Sequence, residues 1–91
     1  MYLLITYDIS SDKRRRKVDK LLSSYGERVN YSVFELEVAT NKYKKLKSKL
    51  KDLIGKNDSI RLYRLDKSVL DSAEELGKYR SHPFEREDSY V

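Results

Sequence analysis

Apolar and polar positions along the chain follow two periods, two residues in some segments and three to four in others. Residues 2–9, YLLITYDI, are apolar on both alternating faces, which is typical of a central strand that is covered on both sides or buried in an interface. Ser10, Ser11 and Asp12 are helix N-cap types. A stripe at i, i+3, i+4 and i+7 follows them and predicts a helix that ends before Gly26, with Val18, Leu21, Leu22 and Tyr25 facing the core.

The alternation of residues 28–38, RVNYSVFELEV, changes phase in the middle of the segment. Its apolar positions are first Val29, Tyr31 and Val33, and then Phe34, Leu36 and Val38. A slip of one residue moves the apolar set to the other face of a strand, so we expect a bulge, a tight bend or a short hairpin near Ser32.

The remaining pattern completes a ferredoxin-like order. Thr40 is a candidate cap for an amphipathic helix that ends at Gly55, with an apolar stripe of Tyr43, Leu46, Leu50, Leu53 and Ile54. KNDS predicts a turn, and residues 60–65, IRLYRL, predict another strand. The order βαββαβ indicates an α+β, ferredoxin-like sandwich.

The pattern is weaker after residue 65. The apolar positions there fit either a short strand or one helical turn, and they are Val69, Leu70, Ala73 and Leu76. We therefore predict one domain over residues 1–77, with a possible extra strand, and a tail over residues 78–91.

Composition excludes several classes of protein. The 91 residues suffice for one domain, and a chain of this size buries little enough surface that a partner subunit would add stability. There is no cysteine, which excludes disulfides, thiolate metal sites and a cysteine nucleophile. No apolar run approaches the roughly 18 residues of a membrane span, and no basic segment precedes YLLITY as it would in a signal peptide. These features predict a cytoplasmic protein with no membrane partner.

The basic residues are clustered. Twenty Lys and Arg against fifteen Asp and Glu give a formal net charge of +5, and the excess lies in residues 13–17 and 42–51. Such clusters favour a polyanionic partner, with nucleic acid ahead of membrane. The first cluster is either a solvated helix face or a phosphate-docking surface at a helix start, and consists of Lys13, Arg14, Arg15, Arg16 and Lys17. The lysines of the second helix fit a solvated face and a diffuse attraction to a duplex backbone equally well.

Asp8 stands where the first strand meets the turn to the first helix. An ionised carboxylate there needs hydrogen bonds or a cation. One interpretation is that it accepts N–H groups of the turn or pairs with a neighbouring arginine. The other is a metal ligand: magnesium accepts one or two carboxylates plus water and substrate phosphate, so two copies of Asp8 meeting across a two-fold axis would suffice.

Other candidates for chemistry are weak. His82 is the only histidine and lies in the polar tail without a partner in sequence, so it is predicted to be a surface residue rather than an acid or base. Eight tyrosines would allow base stacking, but Tyr25, Tyr31 and Tyr43 fall on predicted core positions, which favours packing.

Three segments occur together and in one order, namely YLLITYDIS, RRRKV and YGERVNYSVFELEV. With them the chain resembles the small CRISPR-associated protein that accompanies the spacer integrase, a family described as metal-dependent endonucleases. The resemblance covers residues 1 to about 65 well and the tail weakly. It implies a ferredoxin-like protomer in a homodimer whose sheets face each other, with the C-terminal segment extending the partner's sheet.

The resemblance also implies a site. Asp8 of both protomers would bracket Mg2+ or Mn2+ in an interface cleft that is lined by Tyr7, Arg15, Arg28, Ser32 and Phe34. Some members of the family cut RNA and others duplex DNA, and in the integration complex the dimer bridges two integrase dimers and contacts duplex DNA with its basic surface. Two positions depart from the family pattern: Asn30 stands where glutamine is usual, and Lys17 where some members have arginine.

These observations support three hypotheses. The first is a magnesium-dependent phosphodiesterase of CRISPR adaptation, in which Arg15 and Arg28 bind phosphate and no general base is identified. The second is a non-catalytic scaffold that binds duplex DNA and the integrase with the same basic faces. The third is a ferredoxin-like RNA-binding module that stacks bases on its sheet.

Overall fold

The structure is a computed structural model that describes residues 1–77. Within that range the chain forms four strands and three helices. In chain order they are β1 (Tyr2–Asp8), α1 (Asp12–Ser23), β2 (Gly26–Asn30), β3 (Val33–Glu37), α2 (Thr40–Leu53), β4 (Ser59–Leu65) and α3 (Lys67–Ser72).

The strands form one antiparallel sheet in the order β2-β3-β1-β4. This is the ferredoxin-like arrangement that the sequence predicted, with β1 in a central position. Ile5 lies opposite Phe34 on one side and Leu62 on the other, and Asp8 at the end of β1 lies opposite Ser59. The register therefore places the start of β4 beside the turn that leads from β1 to α1.

The buried core lies on the face of the sheet that α1 and α2 cover. The residues of β1 that face the helices are Leu3, Ile5 and Tyr7, all buried, and they pack with Val18 and Leu22 of α1 and Leu46 and Leu50 of α2. The alternate residues of β1 are half-buried or exposed and lie on the opposite face, here called the open face, together with Tyr63 and Leu65 of β4. The open face of β1 consists of Tyr2, Leu4, Thr6 and Asp8.

The phase slip in residues 28–38 is confirmed and has two parts. A turn at residues 31–32 joins β2 and β3 into a short hairpin, and the pairing shifts register between Arg28 and Asn30. The prediction that Tyr31 packs in the core is wrong, because Tyr31 lies in that turn, where strand alternation no longer applies, and is 88% exposed. Tyr25 and Tyr43 do pack against the core.

The helix starts were predicted with mixed success. Ser11 caps α1, with its side-chain oxygen accepting the N–H of Arg14 at 3.2 Å. The cap of α2 is Ala39 rather than Thr40 and makes no side-chain hydrogen bond. The N–H of Val38 still bonds to the Met1 carbonyl, so the extended chain runs on to Val38 and leaves only Ala39 before the helix.

After β4 the helical alternative is the one observed, as α3 over Lys67–Ser72, and residues 66–77 add no strand. Asp66 caps this helix by accepting the N–H of Val69 at 2.9 Å. The predicted tail, His82 and the segment expected to extend a partner's sheet lie outside the described residues. None of the helices in residues 1–77 could span a membrane.

Candidate metal ligand and nucleic-acid surface

Asp8 is exposed at the end of β1, on the open face of the sheet. Its backbone pairs with Ser59, but its carboxylate makes no hydrogen bond or ion pair with any residue in the range 1–77. The interpretation of Asp8 as an acceptor for the turn or a partner of a neighbouring arginine is therefore wrong for this part of the chain. Its oxygens remain available to an external cation.

Asp58, immediately before β4, is the aspartate that accepts a hydrogen bond from the β1–α1 turn and pairs with an arginine, which is the role that one interpretation gave to Asp8. Its side chain is fully buried and accepts the guanidinium of Arg14 at 2.7 Å, the N–H of Gly55 at 2.7 Å and the N–H of Ser10 at 3.4 Å. The Arg14 hydrogen bond, followed by that from Gly55, lowers the pKa of Asp58 to about 2. The buried Asp58 carboxylate thus links the β1–α1 turn to the α2–β4 loop, and Asp8 is not needed as the hydrogen-bond acceptor of the turn.

A second carboxylate, Asp19 of α1, organises three of the predicted site residues. The Tyr7 hydroxyl donates to Asp19 Oδ1, and Arg28 Nη2 lies 2.5 Å from Asp19 Oδ2. The Arg28 guanidinium also lies over the Phe34 ring, 5.5 Å from its centroid, and Phe34 packs against Tyr7. Tyr7, Arg28 and Phe34 are therefore brought together on the helix side of the sheet, whereas Asp8 points to the open face.

Arg15 is partly committed to the β1–α1 turn. Its guanidinium donates to the Ile9 carbonyl at 3.1 Å and pairs with Asp12, while 41% of the side chain stays exposed. A guanidinium has five N–H donors, so these two contacts leave donors for a phosphate. Arg15 is thus held close to the end of β1 in a fixed direction.

The predicted basic surface at residues 13–17 divides into two kinds of residue. Arg14 and Arg15 are half-buried and paired with carboxylates of the chain. The other three are exposed and make no ion pair within residues 1–77, namely Lys13, Arg16 and Lys17. These three give the start of α1 its unneutralised positive charge.

The β2–β3 turn contains the remaining predicted residues. The Ser32 carbonyl accepts the N–H of Tyr7 at 3.2 Å, which ties the turn to the end of β1. Asn30, the residue that departs from the family pattern, accepts the N–H of Tyr31 with its side-chain oxygen at 2.9 Å. The shorter amide therefore has a defined role at the entrance of the turn.

One copy of the chain offers a metal ion a single carboxylate here. No group of three His, Cys, Asp or Glu side chains in residues 1–77 is placed to hold a metal ion. Magnesium prefers oxygen ligands and keeps several waters, so one or two carboxylates with a substrate phosphate satisfy it. The unpaired Asp8 carboxylate fits such a site provided that a second copy of the chain supplies the other ligand.

Comparison with known proteins identifies the family. A family model described as CRISPR associated protein Cas2 matches residues 1–72. The chain belongs to the Cas2 family. A relative from Chloroflexus aurantiacus, named CRISPR-associated endoribonuclease Cas2 1, is 46% identical over 79 residues, which cover 85% of each chain.

Solved structures agree with this assignment. The crystal structure of Streptococcus pyogenes Cas2 at pH 6.5 is 41% identical, with a TM-score of 0.75 over 85% of this chain and 100% of that one. A chain in a partial Cas6-RT-Cas1–Cas2 complex is 30% identical, with a TM-score of 0.71 over 93% of this chain and 91% of that one. The predicted family and the ferredoxin-like fold of this Cas2-family chain are confirmed.

Sequence reasoning missed the two carboxylates that hold several of the predicted site residues in place. Asp58 is separated from its partner Arg14 by 44 positions, and Asp19 looks like an ordinary polar residue of a basic helix. Strand register is the signal that would have found Asp58. When β4 is paired antiparallel to β1, Ser59 lies opposite Asp8, and Asp58, one residue before Ser59, lies beside the β1–α1 turn. No comparable signal marks Asp19.

Proposed function

We propose that this Cas2-family chain is a magnesium-dependent endonuclease of CRISPR adaptation that acts with the integrase. Its substrate is single-stranded RNA, double-stranded DNA or both, and manganese could replace magnesium. The observation that carries the proposal is the Asp8 carboxylate, which is exposed on the open face and unpaired within residues 1–77. The name of the Chloroflexus relative, an endoribonuclease, supports the reaction class.

The proposal requires a homodimer in which two open faces meet. The open face carries half-buried apolar side chains, among them Leu4 of the central strand β1 and Leu65 of the edge strand β4. Strands buried on both faces read as nearly continuous apolar runs, as YLLITY does. Asp8 ends this face, so pairing the faces across a two-fold axis would bring two carboxylates together.

The metal, held by Asp8 of both copies, would lower the pKa of a bound water and offset charge that develops on the phosphate. Arg15, held beside the turn that follows Asp8, binds the phosphate at the metal, and its side chain is about two-fifths exposed. Arg28 is exposed to the same extent but lies on the helix side of the sheet, so it would contact a neighbouring phosphate of the nucleic acid rather than the one at the metal. Asp19 fixes the orientation of the Arg28 guanidinium through its ion pair, and the guanidinium also lies over the face of the Phe34 ring. Tyr7 fixes Asp19, and the Ser32 carbonyl fixes Tyr7.

The proposal is tested with Asp8→Asn, which keeps the size of the side chain and removes its charge. We expect cleavage of both RNA and duplex DNA to be lost, while wild-type cleavage is abolished by a chelator and restored by magnesium. Asp52→Asn is the matched control, because Asp52 is an exposed aspartate of α2 that makes no ion pair within the described residues. Cleavage that survives in purified Asp8→Asn would disprove the catalytic proposal.

A second candidate function is that of a non-catalytic scaffold of the integration complex. It is favoured by the likeness to a chain in a complex that contains Cas1 and Cas2. Spacer acquisition in cells separates the two functions: a scaffold tolerates Asp8→Asn, and loss of acquisition in that variant would count against it.

The oligomeric state also separates these proposals from a base-stacking RNA module. Tyr2 and Tyr63 lie on the open face, and Tyr63 is 45% exposed, so a monomer would present aromatic rings to RNA. Analytical ultracentrifugation of the full chain, which shows whether it is a monomer or a dimer, distinguishes the dimeric functions from the RNA module. A stable dimer buries these rings, whereas a strict monomer would remove the shared metal site.

A further inference from the structure

A groove runs between the C-terminal end of α1 and the side of α2 that carries Lys42 to Lys49. It has a volume of about 510 Å³. Its buried or half-buried lining includes Leu21, Tyr25 and Val38, and its exposed lining includes three lysines of α2, Lys42, Lys45 and Lys49. We call it the lysine groove.

The charge of α2 is almost entirely unopposed. The helix carries six lysines and one aspartate, so its net charge equals the formal +5 of the whole chain. None of the six lysines makes an ion pair within residues 1–77. Glu37 is the one carboxylate that lines the groove, and it is exposed and likewise without an ion pair in this range. The groove thus combines a concave surface with uncompensated positive charge.

The three groove lysines form a single row because they are spaced i, i+3 and i+7. A rise of 1.5 Å per residue makes the row about 10 Å long. Neighbouring phosphates of one strand are farther apart than the 3.4 Å rise along the axis, because the strand winds around it, so the row spans about two or three of them. The aliphatic stems of the lysines can lie along the apolar lining while their ammonium groups reach outward.

We propose that the lysine groove binds the phosphodiester backbone of duplex DNA, as a contact separate from Asp8 and from the basic cluster at the start of α1. The groove residue within α1 is Leu21, six positions and about 9 Å along the helix axis from Arg15, so the groove lies toward the C-terminal end of α1 and the basic cluster at its N-terminal end. The groove binds without reference to base sequence, because lysines act on phosphate as point charges. Binding at this place requires no cleavage.

The helix itself provides a matched control. Lys44, Lys47 and Lys51 have the same i, i+3, i+7 spacing and the same charge, but they lie on the other side of the apolar stripe, where Lys47 stacks over Tyr43. Changing either triple to glutamine removes three positive charges from the same helix. Any difference between the two variants therefore reports position rather than net charge.

The experiment measures the affinity of the full chain for a blunt DNA duplex in a chelator, over a series of salt concentrations, so that hydrolysis plays no part. For the groove triple we expect the slope of log K against log salt to become shallower by about 2 to 3, since each lost phosphate contact removes about 0.9. For the control triple we expect a change below about 1. Thermal unfolding confirms that both variants are folded.

Equal changes of slope in the two triples, or no change in the groove triple, would overturn the proposal. The first result would show a diffuse effect of net charge, and the second would show that phosphate does not occupy the groove. Neither result bears on cleavage by Asp8, because binding is measured without metal. Loss of cleavage in Asp8→Asn, conversely, leaves the salt slope of the groove unaffected.

Discussion

The Arg14 guanidinium and the buried carboxylate of Asp58 form an ion pair between the β1–α1 turn and the α2–β4 loop, with Nε and Oδ2 2.7 Å apart. Arg14 belongs to a basic cluster that the sequence assigned to nucleic acid, and this pair uses it inside the protein. The same carboxylate accepts the N–H of Ser10, two residues after Asp8. The pair therefore fixes the backbone from which the proposed metal ligand projects.

Asp58 makes the stability of the fold depend on acid pH. Its pKa is lowered in the folded chain from 3.8 to about 2, chiefly by Arg14 and then by the Gly55 N–H. A carboxyl group whose pKa is lower in the folded state contributes stability above its unfolded pKa and loses it as the pH falls through the folded value. We expect the free energy of unfolding, measured by urea denaturation, to fall between about pH 4 and pH 2.

Asp58→Asn should remove much of that fall and lower the stability at neutral pH. Asp66→Asn is the comparison, because the Val69 N–H also lowers the pKa of Asp66 but that group only caps the short α3. If the free energy of unfolding of Asp58→Asn fell with pH as steeply as that of the wild type, another carboxylate would be responsible for the acid dependence.

The Tyr7 hydroxyl should contribute measurably to stability. It is buried with its ring and donates to Asp19, and a hydrogen bond to a charged group is worth about 1.5 to 3 kcal/mol. Tyr7→Phe should therefore lower the free energy of unfolding by about 1 to 2 kcal/mol, as measured by urea denaturation.

Tyr31→Phe removes the same atom from an exposed ring and should change stability by less than about 0.5 kcal/mol. If the two tyrosine variants were equally stable, the Tyr7–Asp19 contact would not hold the site residues together.

Gly26 and Gly55 should tolerate alanine very differently. A Cβ at Gly26 would lie 2.4 Å from the Glu35 carbonyl oxygen and 2.6 Å from a Leu36 methyl, which requires the β2–β3 backbone to shift. A Cβ at Gly55 would meet the Arg14 guanidinium at 2.9 Å, the far end of a long side chain. We expect a loss of about 2 to 3 kcal/mol for Gly26→Ala and less than about 1 kcal/mol for Gly55→Ala in denaturant unfolding.

The reverse order of stability for the two alanine variants would mean that the Arg14–Asp58 pair is more rigid than the β2–β3 hairpin. Gly55→Ala also displaces Arg14 toward solvent, so it should weaken the acid dependence due to Asp58. That effect can be followed in the same pH series.

Periodicity predicted the helices well because α1 and α2 each have one dominant apolar stripe. Val18 and Leu22, and likewise Leu46 and Leu50, are the buried positions that the helical spacing indicated. It failed at Tyr31, where a turn interrupts the strand and the alternating pattern continues only by coincidence.

The chemistry of Asp8 was harder to predict because a local pattern cannot say which aspartate the β1–α1 turn will use. Asp8 is adjacent in sequence, but the turn is satisfied by Asp58, which arrives from the neighbouring strand. The pairing of distant segments thus decides which carboxylate is buried and which remains open to a ligand. For the same reason the sequence could not show that Asp19 joins Tyr7 to Arg28.

Asp8 should link the stability of the chain to magnesium. Because its carboxylate is exposed and unpaired within residues 1–77, Asp8→Asn should change the free energy of unfolding without metal by less than about 0.5 kcal/mol. A ligand that binds only the folded state raises stability by RT ln(1 + [L]/Kd), about 2.7 kcal/mol at 100 times Kd. Wild-type protein should therefore melt at a higher temperature as magnesium increases, and Asp8→Asn should not. Asp52→Asn should respond as the wild type does, and a magnesium response retained in Asp8→Asn would place the ion elsewhere in the chain.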